Sequence, residues 1–541
     1  MNAVATTNIA NRFDRQAALQ PEGRAVIARG KVTTFAGLRQ RCDAYAHRLS
    51  ALGIARGSRV ALMVRPGEDF FALTFALFKL GAVPVLIDPG MGLANMRTCL
   101  SEAAPDAFIG QPMAHLARVL GRWGSAAGRL LCCVGGRFPG TLPLHPGPLP
   151  SSPFTAVETG PEAIAAILFT SGSTGVPKGA VHCHRTFDAQ VELLASHFGI
   201  GPGSIDLATF PLFALFDAAL GATAVIPRMN FTRPGQVDPT AIVGPILTYE
   251  VTQMFGSPAL LERVAGWALP RGIRLPSLRL VISAGAPVAP SVLQDFGALL
   301  APDGRLETPY GATEALPVAS ITAREVLQET REAWARGAGT CVGRPLEGIE
   351  VAIIGISDEP ILTWSDQLRR PVGEPGEIVV RGPNVSDRYH GRPDHDARAK
   401  IADPAGGVWH RMGDLGRFDD LGRLWFLGRK SHRVRCAQGD MFTIPCEAIF
   451  NQHPAVRRTA LVGVPDPNHP GFQRPVLCVE LKRGQRASGD LIEEIWKLGQ
   501  AHGHTRAIAK VLVHPSFPVD IRHNAKIFRE KLALWATERI T

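Results

Sequence analysis

Short apolar runs alternate with helical patterns through most of the first part of the chain, up to about residue 430, and this alternation constrains the fold more than any other feature. Residues 60–64 read as a buried strand, 70–80 as a helix stopped by Gly81, and 82–87 as the next strand. Residues 278–282 and 378–380 are further apolar runs of strand length. Strand, helix and strand in succession require crossover connections. The expected class is therefore α/β and multi-domain, with mostly parallel sheets packed by helices. At 541 residues the chain has room for about two to four domains. Its 45% apolar and 20% charged residues exclude a mainly disordered chain. The 56 Gly and 43 Pro follow no collagen-like period and indicate many turns.

Nine cysteines without a Cys-x-x-Cys pair read as reduced core thiols, and their spacing argues against zinc. The polar start, residues 1–20, has no apolar signal core, so a cytoplasmic protein is expected. The longest apolar run, 207–227, contains Pro211 and Asp217. An Asp in mid-span is expensive in hydrocarbon, so the run is expected to be a buried segment or pocket wall, not a transmembrane span. The net charge is +10, but Lys and Arg are dispersed among Asp and Glu and no RNA-binding signature occurs, so nucleic acid is not an expected partner. A positive balance suits a polyanionic small molecule such as a nucleotide, or loose attachment to an acidic membrane surface, and charge alone leaves both open.

A second, smaller unit is expected to begin near Gly428-Arg429, leaving about 110 residues, a sensible domain size. Within it, 460–464 and 476–481 read as strands, 490–499 as a helix and 434–443 as a hairpin. The Pro/Gly-rich stretch 138–162 reads as a loop between two halves of the large unit.

The segment Thr170-Ser171-Gly172-Ser173-Thr174-Gly175-Val176-Pro177-Lys178-Gly179 follows an apolar strand at 163–169 and precedes a helical pattern over 184–198. Its hydroxyls and Lys178 offer donors and charge to phosphate oxygens, and its glycines let the backbone approach closely. Pro177 before the lysine and Gly179 after it break the Walker spacing, which disfavours a P-loop nucleotidase.

This loop resembles the phosphate loop of adenylate-forming enzymes, a superfamily that includes acyl-CoA synthetases, luciferases and peptide-synthetase adenylation domains. Further motifs of that superfamily occur in the expected order: Ser283-Ala284-Gly285-Ala286-Pro287, Tyr310-Gly311-Ala312-Thr313-Glu314, Gly413-Asp414-Leu415-Gly416, Gly428-Arg429, and a late lysine motif from Asp520 to Lys526. The resemblance implies a large AMP-binding domain over 1–428, a hinge at 429–431, and a small mobile α+β domain over 432–541. It implies ATP and Mg²⁺ as cofactors. Lys178 with Thr170, Ser171, Ser173 and Thr174 would hold the β- and γ-phosphates, with Gly172 and Gly175 in the same loop. Glu314 would ligate Mg²⁺, and Thr313 would contact the α-phosphate. Gly285, Ala286 and Pro287 would border adenine, in a nucleotide pocket shared with Tyr310, Gly311 and Ala312. Asp414 would accept from the ribose hydroxyls, with Arg429 supporting the ribose. Lys526 would reach the α-phosphate and the substrate carboxylate.

Some positions differ from the usual pattern. Ala525 precedes the late lysine in place of Gly, and Ser431 stands at the hinge in place of Asp or Lys. Ala214 occupies the position of a His that usually lies near the acyl carbonyl. His184, at the family's usual His after the phosphate loop, is expected to cap or anchor its helix. The segments 210–216, 310–319 and 517–529 together resemble the branch of β-lactone synthetases in bacterial long-chain olefin biosynthesis. That branch implies a 2-alkyl-3-hydroxy fatty acid whose own 3-hydroxyl attacks the activated carbonyl, and assembly with neighbouring pathway enzymes. His523 and Asp520 are candidate bases. Two other readings stay open: a long-chain fatty acyl-CoA synthetase, with Gly439 bordering a pantetheine tunnel, and an inactive nucleotide- and lipid-binding protein.

Overall fold

The crossover pattern of the first half produces two sheets with helices between them. The computed structural model describes residues 8–148, 152–170, 177–519 and 527–540. One sheet orders its seven strands Lys31–Thr34, Arg24–Ala28, Thr223–Ile226, Ile205–Leu207, Gln253–Phe255, Leu280–Ile282 and Arg305–Glu307. Every pairing in it is parallel except the first. A second sheet is parallel from Ile164–Thr170 through Val83–Ile87, Arg59–Met63, Ala107–Gly110 and Leu130–Val134 to Leu142–Leu144. Lys178–Cys183 and Arg388–Tyr389 extend its other edge antiparallel. The short strand Leu142–Leu144 falls within 138–162, which the sequence presents only as a loop.

The helix expected at 70–80 is Glu68–Lys79, and every residue from Phe70 to Lys79 is buried. A helix apolar on all sides belongs between layers. One apolar cluster joins it to the helices Ala10–Leu19 and Phe35–Ala51 and to strands of both sheets. The one cation on this helix, Lys79, is neutralised inside the core by Asp14 at 2.7 Å and Asp43 at 2.6 Å. The run 207–227 is indeed buried, with Leu215, Phe216, Ala218, Ala219 and Leu220 in the same cluster. Among the described residues, no helix is long and apolar enough to cross a membrane.

The strand expected at 378–380 is Gly376–Arg381, but it lies in a third sheet that is antiparallel throughout. Its order is Tyr310–Ala312, Ala315–Ser320, Thr340–Pro345, Leu424–Arg429, Val408–Phe418, Gly376–Arg381, Glu350–Ile354, with Lys400–Ala402 beside Val408–Phe418. The expectation of parallel pairing fails here for a physical reason. Tight connections, such as those between Ala312 and Ala315 or between Phe418 and Leu424, leave no room for a crossover helix.

After Arg429 the expected α+β elements appear. The hairpin is Val434–Cys436 with Gly439–Met441, and the helix is Gly489–Gln500. A sheet forms from Val456–Pro465, Gln473–Leu481 and Lys510–Val513, covered by Thr443–Phe450 and Arg529–Ile540. All nine cysteines are free and buried.

Asp206 and Asp217 form a carboxyl pair inside the large core. Burial pushes the Asp206 pKa up to about 7, and burial together with the Asp206 charge raises that of Asp217. Both folded-state values lie above those of the unfolded chain, so the native state holds extra protons and loses stability as pH rises from about 4 through about 7. Asp217→Asn is therefore expected to flatten the fall in urea midpoint between pH 5 and pH 8. An unchanged slope would remove the pair from the pH response.

Candidate active site

The strands Ile164–Thr170 and Lys178–Cys183 pair antiparallel with Thr170 opposite Lys178, so the segment joining them starts and ends at adjacent points on the sheet edge. Ser171, Gly172, Ser173, Thr174 and Gly175 lie outside the described residues. Lys178 is half-buried, and burial lowers its pKa against the pull of Glu314. Its ammonium sits 5.4 Å from the centre of the Tyr389 ring. The Lys400 ammonium sits 5.5 Å from the same ring centre, and the Tyr389 hydroxyl donates to Glu314 Oε1 at 2.7 Å.

Glu314 is aimed by a tight hairpin. Ala312 pairs with Ala315, which makes Thr313 and Glu314 the two-residue connection. Gly311 is required there, because a Cβ would lie 2.6 Å from the Ala315 carbonyl oxygen. The Glu314 carbonyl is fixed by the Ser386 N–H at 2.8 Å. Burial works to raise the Glu314 pKa, but His410, the Tyr389 hydroxyl and the Lys400 charge together outweigh it and hold the carboxyl below its ordinary value.

Asp414 and Arg429 are opposite each other in the register of Val408–Phe418 and Leu424–Arg429. Arg429 Nη1 lies 3.0 Å from Asp414 Oδ1, and the Tyr310 hydroxyl donates to Asp414 Oδ2 at 2.7 Å. Asp414 is buried, which raises its pKa against the opposing Arg429 charge. Asp414 Oδ1 nevertheless makes no hydrogen bond of proper geometry. Tyr310, Glu314, Asp414, Arg429 and Lys178 thus form one polar group built from the second and third sheets.

Ser283 to Pro287 follow the C-terminal end of the parallel strand Leu280–Ile282, where ligands of open α/β sheets bind. The Ser283 N–H donates to the Glu307 carbonyl at 2.9 Å, and Gly285 has φ +92°, a conformation that favours glycine. The Ser283 hydroxyl is buried without a partner. No hydrogen bond or ion pair among the described residues joins Gly285, Ala286 or Pro287 to the Glu314–Asp414 group. Lys526, His523 and Asp520 lie outside the described residues.

His184 does not cap its helix but ties the helix start to the chain near Ile9. Its Nδ1 accepts the Ile9 N–H at 3.2 Å, and burial lowers its pKa to about 4. Ala214 is buried beside an aromatic wall in which Phe213 stacks on Phe255 at 4.4 Å and Phe216 meets Phe187 at 5.1 Å.

Sequence reading missed Tyr389 and Lys400. Lys400 is buried, with its pKa lowered by burial to about 8, and its ammonium donates to the Ser386 carbonyl. A lysine followed by the strand residue Ile401 carried a possible signal, since charge inside an apolar pattern needs a partner. Tyr389 offered none, because its partner lies 75 residues away.

The AMP-binding enzyme family matches residues 13–390 of the chain. An olefin beta-lactone synthetase of Xanthomonas campestris pv. campestris is 50% identical over 98% of this chain and 96% of its own. One of Stenotrophomonas maltophilia is 50% identical over 96% of this chain and 94% of its own. Among solved structures, the amide bond synthetase McbA of Marinactinospora thermotolerans superposes with a TM-score of 0.79 at 26% identity, covering 97% of this chain and 99% of that one. With the match spanning both the phosphate-loop strands and the Glu314 hairpin, the chain belongs to the AMP-binding, adenylate-forming family of enzymes.

Proposed function

We propose that this enzyme is an ATP-dependent β-lactone synthetase of long-chain olefin biosynthesis, acting on a 2-alkyl-3-hydroxy fatty acid. The observation that carries the reading is whole-length identity of 50% to two relatives of that name. Lys178, Glu314, Asp414 and Arg429 support it, since all are retained and grouped.

The donor set suits ATP. Asp414 Oδ1 is a buried acceptor lacking a hydrogen bond, which a ribose hydroxyl would supply, and the unpartnered Ser283 hydroxyl lies in the turn assigned to adenine. Gly285, Ala286, Pro287, Tyr310, Gly311 and Ala312 would line that side. Lys178 with Thr170, Ser171, Ser173 and Thr174 would bind the β- and γ-phosphates, and Thr313 the α-phosphate. Glu314 is an ionised carboxylate, the hard oxygen donor that Mg²⁺ prefers, and the ion when bound neutralises phosphate charge. Lys526 would steer the substrate carboxylate onto the α-phosphorus from a small domain at 432–541, pivoting at 429–431 against the large domain at 1–428.

The substrate carboxylate attacks the α-phosphorus and pyrophosphate leaves. The 3-hydroxyl oxygen then attacks the acyl carbonyl, its proton passes to a base, and the bond to AMP breaks. Both reacting groups belong to one molecule, so orientation replaces a second substrate. Phe210, Phe213 and Phe255 offer an apolar wall for the alkyl arms, and Ala214 leaves room beside the carbonyl. Assembly with other enzymes of the pathway belongs to the same reading.

The test supplies ATP, Mg²⁺ and a racemic 2-alkyl-3-hydroxy acid without CoA. Pyrophosphate release and a product lighter than the acid by one water are expected. A thioester formed only with CoA would replace this reading with an acyl-CoA ligase. No pyrophosphate from any carboxylate would leave a binding protein.

A further inference from the structure

The helix Pro112–Leu120 packs Ala114 and Ala117 against the core and turns its large apolar side chains outward. Met113, Leu116, Val119 and Leu120 are 61%, 39%, 52% and 66% exposed, whereas His115 is fully buried. At 100° per residue these four side chains share one arc of the helix, and His115 lies outside it. The arrangement is held, not frayed. His115 Nε2 lies 2.9 Å from the Cys132 carbonyl oxygen, and its ring stacks on Phe138 with centroids 5.6 Å apart. The helix packs over Ala107–Gly110 and Leu130–Val134 at the edge of the second sheet, and the edge strand beyond them exposes Leu142.

The segment that carries this apolar face has charge of one sign. From Ala107 to Val157 the chain contains no Asp or Glu, yet it carries Arg118, Arg122, Arg129 and Arg137. Arg122, Arg129 and Arg137 are exposed. Just outside the stretch, Asp106 accepts the Arg59 backbone N–H. A face of exposed Met, Leu and Val in a stretch whose only formally charged side chains are arginines matches the chemistry of an anionic lipid surface: acyl chains accept the apolar arc and headgroup phosphates accept the guanidinium groups.

We infer that this face docks the enzyme on anionic phospholipid, with Pro112–Leu120 lying in the plane of the interface. Docking does not depend on which reaction the enzyme catalyses, because it is scored without turnover.

The test floats the full chain with vesicles of phosphatidylcholine alone and of phosphatidylcholine containing about three parts in ten phosphatidylglycerol. Partition onto the anionic vesicles is expected to exceed that onto neutral ones by about tenfold or more and to collapse in high salt. Leu116→Glu with Leu120→Glu is expected to cut it at least about tenfold. Arg129→Glu with Arg137→Glu is expected to do the same for anionic vesicles only. Both pairs should keep the wild-type melting midpoint and the wild-type rate of pyrophosphate exchange on a short, water-soluble acid. No flotation with anionic vesicles, or undiminished flotation of the Leu116/Leu120 variant, overturns the inference. Light scattering that shows a wild-type dimer and a monomeric variant, with neither floating, also overturns it and assigns the face to a second copy of the chain.

Discussion

Glu314→Gln is expected to slow ATP–pyrophosphate exchange by about 10²- to 10³-fold, the scale on which a preorganised electrostatic group acts. The substitution keeps the shape of the side chain, and its carbonyl oxygen can still accept the Tyr389 hydroxyl that now reaches Glu314 Oε1 at 2.7 Å. The backbone of the hairpin turn stays pinned by the Ser386 N–H. What disappears is the negative charge, which the surroundings spend several interactions to preserve. Burial opposes it, while His410, the Tyr389 hydroxyl and the Lys400 ammonium favour it. Loss of that charge leaves Lys178 and Lys400 around the Tyr389 ring with less compensation. The measurement is exchange at saturating ATP with the melting midpoint as control. Exchange above half the wild-type rate in a folded variant would remove Glu314 from the chemistry.

Arg411→Met is expected to cost about 3–5 kcal/mol of stability, the range for removing one member of a buried ion pair. Arg411 and Glu377 have side chains 2% and 0% exposed and are joined by two hydrogen bonds, at 3.2 and 2.6 Å. The guanidinium also donates to the carbonyls of Glu359 at 2.8 Å and Arg398 at 3.1 Å. The variant removes those bonds and leaves Glu377 with Lys430 alone, 3.0 Å away. Adding Glu377→Gln to Arg411→Met should recover part of the loss, because much of the cost is the stranded carboxylate. Urea unfolding followed by tryptophan fluorescence reads the effect. A loss below about 1 kcal/mol in the single variant would contradict it.

What the chain disclosed in advance was local. The motif that carries Glu314 and the Asp414 and Arg429 motifs are short strings whose residue types have few structural uses. The strands and helix between residues 59 and 87 were equally legible, since burial on both sides leaves a continuous apolar signature. That same signature misled at Gly376–Arg381, because a strand buried on both faces looks alike whichever direction its neighbours run. Tyr389 and Lys400 were hidden because their significance lies in partners distant along the chain. The outward apolar arc of Pro112–Leu120 was hidden for the opposite reason. Its amphipathic pattern is plain, but a pattern does not state which side faces inward, and here a buried histidine held by the Cys132 carbonyl decides it.

The pairing of Asp414 with Arg429 has a mechanical consequence. The residue that would grip the sugar and the last residue before the chain leaves the third sheet occupy the same rung of one ladder. Gly428, with φ +127° and no space for a Cβ beside Thr443 Oγ1, lets the following helix come right up to that rung. On the proposed reading, with the pivot at 429–431, rotation of the carboxy-terminal unit would leave the Asp414 rung in place and the ribose held.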